Sequence, residues 1–206
     1  MESFRGKYAE NTRQALLETA GQLFAHRDYA DLSAEELVRA AGLTRGALYH
    51  HFDGKRGLFE AVVDDWEGRA AQRIRAAIES ASAPFDRVDR GVEEFLNVCA
   101  EPDYRHIVLL QGPIGLGWQR WRELDQRHLG SLIVQAVRNL LEAGLIRPHP
   151  AELIAGAFYG ALTELSLLIT ESDDPHQARS RAEALVHDLL GGLATGATEK
   201  GPAGSE

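Results

Sequence analysis

The chain has 206 residues, a formal net charge of −9 and a single cysteine. A composition of 44% hydrophobic and 26% charged residues excludes a disordered chain, and one cysteine excludes an intrachain disulfide, which suits a reducing compartment. Apolar runs such as Ile107–Leu110 are too short to span a bilayer, and Met1–Arg5 has no apolar leader core. A cytoplasmic chain with no membrane partner is therefore expected.

No proline occurs before Pro84, and strong helix formers dominate that stretch. From Asn11, Leu16, Leu17, Ala20, Leu23 and Phe24 recur at helical spacing, and the segment ends around His26–Asp31. Ser33 and Glu36 then form a capping box, with Leu32 and Leu37 placed as a hydrophobic staple across it. Gly42 stops this second helix and Thr44 caps a third of about two turns. Asp53-Gly54 breaks the third helix, and a long fourth begins near Lys55 with Leu58, Phe59, Val62, Val63, Trp66, Ala70 and Ile74 on one stripe.

Further helices are expected over 86–100, 104–111, 118–143, 151–171 and 176–193, with prolines at or near the joints. Gly112-Pro113-Ile114-Gly115-Leu116-Gly117 lacks the order of a phosphate-binding loop and reads as a flexible connection between helices. Residues 194–206 read as a disordered tail. The fold class is all-α: an N-terminal tri-helical helix-turn-helix module (1–57), then a helical-bundle domain (58–193).

Residues 1–57 hold eight basic and eight acidic side chains, so the acidic excess belongs wholly to the rest of the chain. Local field decides whether a surface tolerates phosphate, so a neutral module can bind DNA beside an acidic domain. At about 100° per residue, Arg45, Gly46, Tyr49 and His50 share one half of the third helix, while Leu48 and Phe52 pair towards the core. A guanidinium, a glycine, a phenol and an imidazole on one face are groups suited to base edges and phosphates. His50 and His51 point about 100° apart and converge poorly on a metal ion. Cys99 reads as a small buried hydrophobe. No catalytic constellation, metal spacing or cofactor motif is present, and no enzymatic role, metal or cofactor is expected.

The string Leu32-Ser33-Ala34-Glu35-Glu36-Leu37-Val38-Arg39-Ala40-Ala41-Gly42-Leu43-Thr44-Arg45-Gly46-Ala47-Leu48-Tyr49-His50-His51-Phe52, followed by Lys55, resembles the TetR family of bacterial transcriptional regulators. The resemblance runs from about Thr12 to Val63. It implies a homodimer on a palindromic double-stranded operator, with recognition helices roughly 34–36 Å apart. Its matching positions imply a DNA-binding set of Thr44, Arg45, Gly46, Tyr49, His50, His51 and Lys55. In that set Arg45 reads a base, Tyr49, His51 and Lys55 meet phosphates, and His50 meets a base or the backbone. Glu35 stands where some relatives carry a basic contact residue, and a carboxylate there repels phosphate. The resemblance further implies a repressor released by a small effector. An activator, or a regulator answering to something other than a small molecule, is the alternative.

The aromatic content of the second domain nominates Trp66, Phe95, Cys99, Tyr104, Leu109, Trp118, Trp121, His128 and Phe158 for a pocket suited to a largely apolar or aromatic molecule. Plain core packing accounts for each of them equally well. The apolar helix 151–169 and the stripe on the final helix nominate Ala155, Phe158, Tyr159, Leu162, Leu185 and Leu189 for a dimer interface.

Overall fold

The computed structural model describes residues 4–196, among which there is no strand, only one isolated bridge between Ile146 and Ala194. By packing, the chain divides into two compact units, Met1–Ala70 with Cys99–Arg127, and Ala71–Val98 with His128–Glu206.

The first unit opens with α1 (Phe4–His26), longer at its N-terminus than its apolar periodicity predicts. Ser33 caps α2 (Ala34–Ala40): its Oγ accepts from the Glu36 N–H at 3.1 Å, and Glu36 accepts from the Ser33 N–H at 2.9 Å. These bonds, from the Ser33 backbone first and then its hydroxyl and Arg27, lower the Glu36 pKa to about 2. Gly42, at φ +66°, supplies the left-handed residue that ends this helix and turns the chain into α3 (Arg45–Phe52). The Thr44 hydroxyl accepts from the Ala47 N–H and caps α3.

After the left-handed pair Asp53 and Gly54, α4 (Gly54–Glu79) supplies residues to both units. Phe24, Tyr29 and Phe59 form an aromatic knot, with Phe59 centroids 4.7 Å from Phe24 and 4.8 Å from Tyr29. Leu48 and Phe52 are buried, as their spacing predicts.

Beyond α5 (Pro84–Ala100), α6 (Pro102–Tyr104) widens into a π-helical segment, Arg105–Gln111. The Gly112–Gly117 stretch corrects the loop expectation, because α7 (Gly112–Leu116) forms there with Pro113 in its first turn. Its glycines are spacers: a Cβ at Gly115 would lie 2.5 Å from Phe59 and 3.0 Å from Tyr29, so α7 sits directly on the aromatic knot. Three further bonds fix it within this unit. Gln111 accepts from the Tyr29 N–H at 2.9 Å, Arg56 donates to the Leu116 carbonyl at 2.8 Å, and Arg120 of α8 (Trp118–Asp125) pairs with Glu60 at 2.6 Å.

A π-helical segment Gln126–Gly130 leads into α9 (Ser131–Glu142) of the second unit, so the expected single helix over 118–143 is three helical segments. The long α10 (Ala151–Glu171) packs against α9 and against α11 (Pro175–Gly191). Val137, Leu140, Ile146, Ile154, Ala155 and Leu190 share a buried core there. Among the described residues α10 is the one helix long and apolar enough, by length and composition, to cross a membrane. The disordered tail expected from residue 194 does not begin there. Arg147 donates to the Leu193 carbonyl and Thr195 to the Leu145 carbonyl, so 194 and 195 are paired, while residues 197–206 lie outside the described residues.

Candidate nucleic-acid interface and apolar cavity

The face of α3 carries the predicted set. Thr44, Arg45, Gly46, Tyr49 and His50 are exposed, and His51 is half-buried with its ring 4.9 Å from that of His50. The Arg45 guanidinium lies 5.5 Å from the Tyr49 ring centroid and bonds Glu35 at 2.7 Å. The Tyr49 side chain and then the Glu35 charge raise the pKa of Arg45, holding it more firmly protonated.

Lys55 is placed differently from a bare phosphate contact. Its Nζ donates to the carbonyls of Tyr29 and Leu32, each at 2.8 Å, and lies 4.0 Å from the Tyr29 centroid. Partial burial lowers its pKa.

The second unit contains an apolar cavity of about 70 Å³. Ile74 and Ile78 of α4, Val92 and Phe95 of α5, Leu129 and Phe158 are among its lining residues. Of the nine nominated pocket residues, Phe95 and Phe158 line it. Trp66, Cys99, Tyr104, Leu109, Trp118 and Trp121 belong to the first unit, and His128, half-buried in the second, is not in the lining. Aliphatic side chains make most of this cavity, and aromatic content alone did not point to them. The signal was present in Ile74 and Ile78, which continue the α4 stripe past Ala70.

The nominated dimer residues also separate. Ala155, Tyr159 and Leu162 are buried within the unit, so none of the three is a surface group, and Phe158 is half-buried and lines the cavity. Leu185 and Leu189 face outward, each 47% exposed, and on α10 the exposed large apolar residues are Leu153 and Leu168. Gly156 and Gly160 are also exposed, with open space where a Cβ would stand.

One buried group escaped sequence reasoning. Glu67 is fully buried, its Oε1 has no hydrogen-bond partner, and its Oε2 accepts from the Tyr104 hydroxyl at 3.3 Å. Burial, then the nearby Asp125 carboxylate, pushes its pKa well above the usual carboxylate range. Within Asp64-Asp65-Trp66-Glu67 it reads as a solvated charge. Yet it stands four residues after Val63 and three before Ala70, on the buried stripe.

Comparison with known proteins agrees with this architecture. Residues 16–62 match the model for bacterial regulatory proteins of the tetR family, and residues 85–193 match that of the tetracyclin repressor-like C-terminal domain. A TetR-family transcriptional regulator from Pectobacterium atrosepticum is 32% identical, with a TM-score of 0.75 over 92% of this chain and 97% of its own. The HTH-type transcriptional regulator UidR of Escherichia coli strain K12 is 26% identical over 91% of this chain and 95% of its own. A putative tetR-family regulator from Shewanella sp. PV-4, 22% identical, shares the fold at a TM-score of 0.70 over 89% of this chain and 98% of its own. The α1–α3 module is thus a DNA-binding helix-turn-helix, and the chain belongs to the TetR family of transcriptional regulators.

Proposed function

We propose that this chain is a repressor that binds a palindromic operator as a homodimer and releases it when a small apolar effector enters the cavity of the second unit. Residues 1–57 act as the reading head. Arg45 reads a guanine edge, Tyr49, His50 and His51 with the Thr44–Gly46 turn meet the adjoining bases and phosphates, and Lys55 supports them from behind. Two of the Lys55 N–H groups are engaged by carbonyls, which leaves one for a phosphate. The exposed leucines of α10 and α11 pair two copies, with the Gly156 and Gly160 positions admitting a close helix approach.

The observation that carries this reading is the composition of α4. The helix that begins beside Lys55 also lines the cavity with Ile74 and Ile78. At about 70 Å³ the cavity is smaller than the roughly 150 Å³ known to admit benzene, and far below the roughly 300–1,000 Å³ of typical ligand sites. An effector therefore enters only by displacing lining side chains, and it shifts the protein towards whichever conformer accommodates it better.

The test is fluorescence anisotropy on DNA upstream of the chain's own gene, followed by titration with aromatic and medium-chain aliphatic compounds. Salt-sensitive, sequence-preferring binding that a compound reverses is expected. Ala136→Leu, which fills the cavity, should keep DNA affinity and lose the response. A compound that binds tightly in the cavity yet leaves DNA affinity unchanged would overturn the effector mechanism.

A further inference from the structure

Glu35 is an acidic side chain bonded to the reading face, and the assignment of that face gives it no role. It lies in the first turn of α2, while Arg45 opens α3, and their 2.7 Å bond joins the two helices of the reading unit. Their side chains are 60% and 63% exposed, so the pair adds little to stability. Its effect is positional. A long arginine side chain otherwise samples many rotamers, and here it is held at Nη1 by a carboxylate and set against the Tyr49 ring. Glu35 engages only Nη1, and a guanidinium carries further N–H donors in a fixed fork that can match the O6 and N7 acceptors of guanine.

We propose that Glu35 is a specificity-determining positioning residue: it holds Arg45 in the base-reading conformation and sets a negative charge against phosphate, so that DNA lacking the guanine is refused. This rests on Arg45 being the base reader. Without the guanine, the guanidinium is already neutralised by Glu35 and adds little backbone affinity. With it, the partly ordered guanidinium forms two bonds at a smaller cost in rotamer freedom. Specificity then comes from rejection of the wrong site as well as from attraction to the right one.

Charge and hydrogen-bond geometry separate the two effects. Glu35→Gln keeps an oxygen acceptor for Arg45 and removes the charge, whereas Glu35→Ala removes both. Duplexes are selected from a random pool with the wild-type protein. Affinities are then measured for the selected site, for the site with its contacted guanine changed to adenine, and for random duplex, at several salt concentrations.

The wild type should lose about 5- to 150-fold on the guanine change. Glu35→Gln should bind random duplex several-fold more tightly and keep the guanine preference within about twofold. Glu35→Ala should show the same gain on random duplex, with the preference reduced about three- to fivefold. If Arg45→Ala abolishes the preference while Glu35→Ala retains it, the proposal is overturned and the base-reading role stands. If Arg45→Ala leaves the preference intact, the reading itself fails and the proposal with it. Random-duplex affinity unchanged in Glu35→Gln would remove the repulsion half.

Discussion

The Lys55 ammonium lies 4.0 Å from the Tyr29 ring centroid and donates to the Tyr29 carbonyl at 2.8 Å. With the second bond to Leu32, it ties the first turn of α4 to the segment that connects α1 and α2. Lys55→Ala should therefore act mainly on stability. It leaves two partly buried carbonyls without their charged donor, a loss of about 1–3 kcal/mol. Urea unfolding should show it, and the salt dependence of DNA binding should change by no more than one phosphate contact.

The capping box predicts an acid limit on the reading head. The Glu36 pKa is lowered to about 2, so its contribution is present above the ordinary carboxylate range and is lost as pH falls towards about 2. Ser33→Ala removes the hydroxyl cap at a cost of about 1 kcal/mol. Thermal melts from pH 7 to pH 2 should show a lower Tm throughout the upper range and a smaller difference from wild type at the acid end.

Glu67 has the opposite sign. Its pKa is raised by burial, so the folded chain holds a proton that the unfolded chain releases. Stability is then greatest below the ordinary carboxylate range and falls as pH rises towards the raised value. Glu67→Gln, an uncharged group of the same shape, should flatten this slope and raise Tm above wild type at pH 8. An unchanged pH profile would show that the carboxyl ionises without penalty.

Assembly rests on Leu185 and Leu189 in the proposed dimer. Replacing both with glutamate buries like charges on the two-fold axis and should halve the mass measured by sedimentation. Operator affinity should fall at least 100-fold, since a monomer contacts one half-site. The thermal transition of each protomer should persist, because both leucines lie outside its core.

The reading head was legible because its signals are local. Ser33 with Glu36, Gly42, Thr44 and the Leu48–Phe52 pair each act within a few residues. The partners of that head were not legible. Gln111 meets Tyr29 across 82 positions, and no periodicity announces a side-chain amide capping a distant N–H. Gly112–Gly117 has a loop's composition, yet Gly112 and Gly115 are there because Trp121 and Phe59 leave no room for a Cβ, and Gly117 because its φ is +80°. Glu67 was hidden by charged neighbours, although its spacing follows the buried stripe. The dimer set failed at Ala155, Tyr159 and Leu162 because apolar composition marks burial without saying whether the burying surface belongs to the same chain. The cavity was hidden in a different way: aliphatic side chains that line a void have the same composition as those that fill a core.

The close seat of α7 on Phe59 and Tyr29 bears on how such a regulator can be recombined. A graft that moves residues 1–57 alone onto another effector domain leaves behind Phe59, Gly115 and Gln111. The transplanted head then arrives with Tyr29 uncovered and its N–H unpaired. A chimera that keeps these contacts carries 58–70 and 99–127 along with the head, so the transferable part of this protein is discontinuous in sequence, and crossover points placed at the end of the helix-turn-helix would select against themselves.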